Sequence, residues 1–398
     1  MKKLKLFKTL LIPSLGVLTL GTIAAVATSC GGDKTPVIDV GENVGITANA
    51  SSTLTFVHNY VGDFPDLQYS TDDGTSWNTY SEEISISQGQ TLLLKGNNPE
   101  GWSHSMSTYS YLSISGNVSI SGNVMGLLDN GATSGEEGDI TAIPCDYCFY
   151  KLFESSDGIV DSSKKLLSRA TVLTNSCYRS MFDNCINLSF SPNLPATTLA
   201  ENCYRYMYAN CYNLKSLPPK IDAEQMAPSC CKQMFFNCVS LLEVPKNMLV
   251  DNILAEYCYN LMFEGCTSLT IAPELPATDL TNFCYQGMFK NCTSLTIAPE
   301  LPAEVLTESC YQNMFNGCTS LTTAPELPAT TLATECYTNM FNGCTSLNSI
   351  KIGYTGYYDS AYFNGWVTGV SASGAFYYNG DQTAQDFKLP NGWTTEQF

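Results

Sequence analysis

A tandem repeat of about 26 residues occupies the middle of the chain and constrains its fold more than any other feature. Each unit begins at a cysteine, and successive units start 26, 27, 28, 26, 26 and 26 residues apart, at Cys177, Cys203, Cys230, Cys258, Cys284, Cys310 and Cys336. A unit this short cannot bury its apolar side alone and must stack on its neighbours. The repeats therefore predict a solenoid, with the extra residues of the two longer units in loops.

Each unit contains three local patterns. Its opening phrase, CYxxMFxxC, places cysteine and methionine four residues apart on one stripe of a helix, so a short helix is predicted to face the core. The methionine of this phrase should then be buried in every unit, as at Met262, Met288, Met314 and Met340. The Thr-Ser-Leu-Thr that follows favours a strand. The paired prolines after it, such as Pro273 and Pro276, predict a corner because proline neither continues a helix nor donates to an interior ladder.

These phrases carry a family resemblance. The run CTSLTxAPELPA, joined to CYxxMFxGC, resembles the BspA-like subclass of leucine-rich repeats over roughly residues 140–350. The resemblance implies an α/β solenoid of leucine-rich-repeat coils, each a strand plus a short helix with a 26-residue period. A degenerate unit that starts at Cys148, with Ser156 in the place of the second cysteine, is predicted to cap the N-terminal end.

The first thirty residues have the pattern of a processing signal. Four lysines precede a largely apolar stretch over residues 9–26, and the small residues Ala27, Thr28 and Ser29 lead to Cys30. This pattern resembles a bacterial lipobox, which implies a signal peptide at 1–29 and a lipid on Cys30. The protein is then expected at the cell membrane, lipid-anchored on the extracellular face. A membrane-spanning anchor is the alternative, because the apolar run approaches the roughly 20 residues that a span needs.

The rest of the chain is predicted to form four further parts. Residues 30–49 are predicted to be a linker, residues 50–102 a small β-sandwich, residues 103–350 the solenoid, and residues 351–398 a C-terminal cap.

Short strands separated by turn residues predict the sandwich. Residues 50–102 resemble the immunoglobulin-like modules of bacterial surface and phage tail proteins. The strand candidates are Leu54–Val57, Leu67–Ser70, Trp77–Tyr80, Ile84–Ile86 and Leu92–Lys95. Residues 111–127, which repeat the phrase Ser-Gly-Asn-Val, are predicted to be the first coils of the solenoid.

The cysteines allow two interpretations. The chain has 18 of them, and lipidation of Cys30 would leave an odd number, so complete pairing within one chain is excluded. Two cysteines eight residues apart on one helix lie about 12 Å apart, beyond the roughly 7 Å reach of a disulfide. A ladder of buried free thiols is therefore predicted, with disulfides between units as the alternative. Cys145 and Cys148 form a Cys-x-x-Cys pair of the kind that serves redox or metal chemistry, but a structural role is favoured because no second pair completes a zinc site.

The sequence offers little material for catalysis, so no enzyme activity, cofactor or metal site is predicted. His58 and His104 are the only histidines. Glu274, Glu300 and Glu326 recur at one position of the unit and are interpreted as a solvated stripe. A formal net charge of −18 makes nucleic acid a poor partner.

The predicted function is binding at the cell surface. A stack of repeats offers an extended surface whose exposed positions vary without disturbing the core, and the family resemblance implies an adhesin. The expected partner is a protein or glycan on host or neighbouring cells. Two alternatives stay open: a structural or antigenic coat protein without a specific ligand, and a secreted hydrolase that uses the N-terminal module.

Overall fold

The computed structural model describes residues 42–132, 140–249 and 253–398. The N-terminal part consists of short strands in which apolar residues alternate with polar ones, so that strands such as Ser52–His58 bury every second residue. These strands are β1 (Val44–Ala48), β2 (Ser52–His58), β3 (Gln68–Ser70), β4 (Asn78–Thr79), β5 (Ile84–Ile86), β6 (Thr91–Lys95), β7 (Ser110–Ser115) and β8 (Val118–Gly122).

The strands form two sheets. One has the order β4-β3-β6-β1-β8-β9, where β9 is Ile159–Ser162, and the other has the order β5-β2-β7. Inward side chains of both sheets, such as Ile46 and Leu54, belong to one apolar core. We refer to residues 44–122 as the sandwich.

All five strand candidates contain strands, but the predicted boundaries of this region need correction. β1 lies inside the supposed linker at 30–49, and it is buried along its whole length because it is paired on both sides, with β6 and β8. Residues 111–127 are not coils of a repeat. Together with Ser110, their alternating Tyr-Leu-Ser-Ile-Ser forms β7, which pairs antiparallel with β2, and β8 then pairs with β1.

The predicted α/β leucine-rich-repeat solenoid is wrong. Strands and single-residue bridges together account for 21% and helix for 2% of the described residues, and the units do not close into coils of strand plus helix. The CYxxMFxxC phrase is a chain of tight turns, in which the N–H of Met181 bonds to the carbonyl of Tyr178, three residues back. An α-helix would use the carbonyl four residues back. We call each such phrase, with the residue before it, a turn segment.

Left-handed backbone at every fourth residue distinguishes a turn segment from a helix. In the segment that contains Cys177, the φ angles of Ser176, Ser180 and Asn184 are 56°, 56° and 61°. The third of these positions is asparagine or glycine in every unit from Cys177 to Cys344, and these residues tolerate the left-handed region best. Every fourth side chain still faces the same way, so Met262, Met288, Met314 and Met340 are fully buried as predicted.

Turn segments stack on one another through backbone hydrogen bonds and aromatic columns. The N–H groups of Tyr178, Ser180 and Phe182 donate to carbonyls of the next unit, at 2.9–3.0 Å. One aromatic column runs unbroken from Phe153 to Phe341, with successive ring centroids 5.3–5.9 Å apart. The units from Cys148 to Val370 are called the repeat stack below.

The predicted strand at Thr-Ser-Leu-Thr is also wrong. On this side the units meet only at single parallel bridges, such as Ile271 with Ile297. At this position of the unit a proline follows the bridge residue by two positions, and proline has no N–H with which to extend a ladder. The bridge residues so followed are Phe190, Ser216, Glu243, Ile271, Ile297 and Thr323.

The repeat stack extends beyond the last Cys-rich unit. The N–H groups of Glu335, Tyr337, Asn339, Phe341 and Gly343 donate to carbonyls within residues 361–368. One more turn segment therefore exists inside the predicted cap at 351–398. It contains the short helix α1 (Ser360–Phe363). The strand before it, β10 (Ser349–Lys351), forms a parallel sheet with the two strands after it, β11 (Ser373–Tyr377) and β12 (Gly392–Glu396).

The N-terminal end of the repeat stack joins the sandwich. In the degenerate unit at Cys148, Ser156 takes the place of a cysteine and donates to the carbonyl of Leu112 in β7 at 2.8 Å. Nearby, the buried guanidinium of Arg169 contacts the carboxylate of Asp129 and lies 3.6 Å from that of Glu42. The first contact links the repeat stack directly to the sandwich, and the second links it to Glu42 and Asp129, which lie just before and just after the sandwich in the chain.

Candidate functional site

A groove of about 810 Å³ crosses four successive units on the bridge side of the repeat stack. Its floor is apolar, with Leu217, Val244 and Leu275 buried, and its rim carries the side chains of Ile271 and Ile297, which are 48% and 56% exposed. Exposed isoleucines in register on neighbouring units form an apolar stripe that nothing within the described residues covers. Such a stripe is typical of a surface that binds a partner.

Charged side chains border the groove. Glu243, Glu274 and Glu300 contribute carboxylates, and Lys215 and Lys246 contribute ammonium groups. Lys246 pairs with Glu274 at 2.8 Å, and this pairing raises the pKa of Lys246. The predicted stripe of Glu274, Glu300 and Glu326 is exposed, and Glu326 pairs with Lys351 at 2.8 Å. The stripe is therefore a row of solvated charges, and in the first two of its units, at Glu274 and Glu300, it borders the groove.

A second cluster of reactive groups lies where the sandwich meets the repeat stack. Cys145 is partly exposed; its Sγ lies 3.7 Å from Nδ1 of His104 and donates to the carbonyl of Ser103 at 3.3 Å. Cys148, three residues further along the chain, is fully buried. We call Cys145, Cys148 and His104 the thiol cluster.

The surroundings of the thiol cluster shift the acidity of its two cysteines in opposite directions. The hydrogen bond from Cys148, with the hydrogen bond and charge of His104, lowers the pKa of Cys145 to about 7, against opposing effects of burial and Asp146. Burial raises the pKa of Cys148 well above its usual value. Cys145 is therefore partly ionised near neutral pH, whereas Cys148 stays protonated.

The cysteines of the units have a structural role. The second cysteine of a unit donates its S–H to a carbonyl of the preceding unit, as Cys292 does to Phe263 at 3.1 Å. Burial raises the pKa of these thiols, to about 12 for Cys266. Cys231 stands where other units have tyrosine and interrupts the tyrosine column between Tyr204 and Tyr259.

The structure separates the two histidines that sequence analysis singled out. His104 joins the thiol cluster, whereas His58 stacks on Phe64 at 3.7 Å between ring centroids. Cys30 lies outside the described residues. Sequence reasoning missed the partnership of His104 and Cys145 because 41 residues separate them and no local motif connects them.

Comparison with known proteins found no match to a family model, to a curated protein or to a solved structure. In the part of the chain that the structure describes, no helix is long and apolar enough to cross a bilayer. Over the same residues, no three or more histidine, cysteine or acidic side chains are arranged to hold a metal ion.

Proposed function

We propose that this protein binds a polypeptide of host or neighbouring cells through the groove on its repeat stack. The observation that carries the proposal is the pair of exposed isoleucines, Ile271 and Ile297, above an apolar floor. Carboxylates outnumber ammonium groups around the groove, and the whole chain has a formal net charge of −18, so the favoured ligand segment is extended, apolar and basic.

A matched pair of variants tests this proposal. Ile297→Asp places a charge in the groove, whereas Val305→Asp changes a residue of nearly equal exposure, 58% against 56%, that does not line it. The full-length chain is immobilised and titrated with extracellular matrix proteins and with basic apolar peptides. Saturable binding that is lost in Ile297→Asp and kept in Val305→Asp is the expected result. Absence of saturable binding, or equal losses in both variants, would favour the coat-protein alternative.

Display at the cell surface is the second part of the proposal. It depends on a lipid anchor at Cys30, after the small residues Ala27, Thr28 and Ser29. Cys30→Ser should release the protein from the membrane fraction or leave it unprocessed. Processing and detergent partitioning like those of the wild type would show that Cys30 carries no lipid.

A further inference from the structure

We infer that Cys145 and Cys148 form a thiol–disulfide exchange site, in which Cys145 attacks a low-molecular-weight or protein disulfide and Cys148 resolves the mixed disulfide. This activity is independent of the groove. The inference depends on access, on the contact between the two thiols and on the groups around Cys145.

Access singles out Cys145. The other sixteen cysteines of the described residues have 0% exposure, whereas Cys145 is partly exposed. A disulfide in solution therefore reaches this thiol first. Cys148 is reached only through Cys145, which suits a resolving thiol.

Local backbone geometry brings the two cysteines close together. Cys145 and Cys148 are three residues apart across a turn in which Tyr147 has left-handed backbone, with a φ angle of 59°, and the Cys148 thiol is near enough to lower the pKa of Cys145. Glycine at position 101 makes room for this arrangement, because a Cβ there would lie 2.2 Å from the Sγ of Cys145. On the other side, Thr174 donates to the carbonyl of Cys145 at 2.6 Å and fixes its backbone to the first unit.

The groups around Cys145 favour its thiolate. His104 and the Cys148 thiol stabilise the anion, Asp146 opposes it, and the balance lowers the pKa of Cys145 to about 7. The rate of attack on a disulfide is greatest for a thiol whose pKa lies near the ambient pH, because the thiolate is then both abundant and nucleophilic. At neutral pH the thiolate and thiol forms of Cys145 are thus both present, and the reactive form is abundant.

The reaction balances as two exchanges. The Cys145 thiolate attacks one sulfur of the disulfide RSSR′, which forms a mixed disulfide and releases R′S⁻. Cys148 loses its proton to a released thiolate and attacks the Sγ of Cys145, which releases RS⁻. In total, two cysteine thiols are oxidised to one disulfide, and RSSR′ is reduced to RSH and R′SH.

Alkylation of the folded, full-length wild type with iodoacetamide, followed by mass mapping, tests access and acidity without any variant. Among the cysteines of the described residues, we expect label on Cys145 alone. The alkylation rate should rise with pH, with a midpoint near pH 7. His104→Asn should raise that midpoint, whereas His58→Asn, whose ring lies against Phe64, should leave it unchanged. Label spread over the buried cysteines, or a midpoint that both histidine variants move equally, would overturn the inference.

Oxidised glutathione tests the resolving step. The mass of the wild type should fall by two hydrogen atoms, and both halves of the oxidised glutathione should be released as thiols. Peptide mapping should show a disulfide between Cys145 and Cys148. Cys148→Ser should stop at a glutathione adduct on Cys145, and Cys145→Ser should not react. An adduct that persists in the wild type, or the same product from wild type and Cys148→Ser, would show that Cys148 does not resolve it. Groove binding is measured on the same variants and should be unchanged, which separates this inference from the proposed function.

Discussion

The sandwich and the repeat stack bury their apolar residues through different kinds of contact. In the sandwich, β1 lies between β6 and β8, which follow it by more than 40 residues, so its core joins unlike segments. In the repeat stack, each residue meets its counterpart in the next unit, as Phe289 meets Phe315 at 5.8 Å. The comparison shows that the sandwich depends on global topology, whereas the repeat stack depends on interfaces between neighbours.

The largest effect is expected where the two regions meet. Arg169→Ala leaves the carboxylate of Asp129 buried, with a side-chain exposure of 1%, and should reduce the free energy of unfolding by about 3–5 kcal/mol. Urea unfolding should then show separate transitions for the sandwich and the repeat stack. Lys246→Ala is the control, because its ion pair with Glu274 is exposed, and it should leave the curve unchanged. A single unaltered transition in Arg169→Ala would show that this cluster does not couple the regions.

A core truncation in the middle of the repeat stack comes next. Met288→Ala should cost about 2–5 kcal/mol, because Met288 is fully buried and the packed neighbours on both sides cannot close the cavity. Ile297→Ala in the adjoining bridge region removes an exposed side chain and should cost much less. Thermal or urea unfolding compares the two, and equal losses would contradict the inward orientation of the methionines.

The stack also contains a residue that should weaken it as pH rises. Burial raises the pKa of Asp183 to about 6, so the stability that its protonated form provides is present below the ordinary value near 4 and is lost as pH rises through 6. Asp183→Asn keeps the acceptor for Asn210 and should stabilise the protein by about 1–3 kcal/mol at pH 7.5. The gain should vanish at pH 4; a gain that does not depend on pH would exclude titration of Asp183 as its cause.

A smaller gain in stability is expected from a change in the aromatic column. Tyr208 lies between Phe182 and Phe235, and its buried hydroxyl has no hydrogen-bond partner among the described residues. Tyr208→Phe should therefore stabilise the protein by about 1 kcal/mol. Tyr378→Phe is the contrasting variant, because that hydroxyl donates to the carbonyls of Thr355 and Gly356, and its removal should destabilise. Destabilisation by both changes would indicate a partner for the Tyr208 hydroxyl.

The smallest effect on stability is expected from adding a reductant. Apolar packing and S–H donors connect the units, so the melting temperature should be the same with and without reductant. Alkylation in denaturant before reduction should find the thiols of the repeat stack free. Native disulfides would instead cost about 2–5 kcal/mol each when reduced, and a large drop in melting temperature with blocked thiols would show that the units are cross-linked.

The repeat register was predictable from sequence, but the backbone conformation was not predicted correctly. A helix and a chain of four-residue turns both place Met288 and Phe289 inward, so periodicity alone could not distinguish them. The signal that does so is the asparagine or glycine before each second cysteine, such as Asn291, which marks left-handed backbone. β1 was missed because its pairing with β6 is a long-range contact. Two members of the thiol cluster, Cys145 and Cys148, were recognisable from the sequence as a Cys-x-x-Cys pair. The third, His104, is placed beside them only by the fold.

The hydrogen bonds between turn segments also give the repeat stack a direction. In the segment that contains Cys177, the N–H groups that leave the unit all donate forward, toward the C-terminus. A fragment cut from the repeat stack at both ends would therefore expose unpaired backbone carbonyls at its N-terminal end and unpaired N–H groups at its C-terminal end. Copies of such a fragment would bind head to tail without forming a closed ring. The N–H groups of Ser103 and Leu112 in the sandwich occupy the acceptor end by donating to Cys148 and Leu152. At the donor end, Phe376 and Phe387 pack on Trp366 of the last turn segment. The regions at the two ends thus cover the repeat stack and oppose its growth into a fibre.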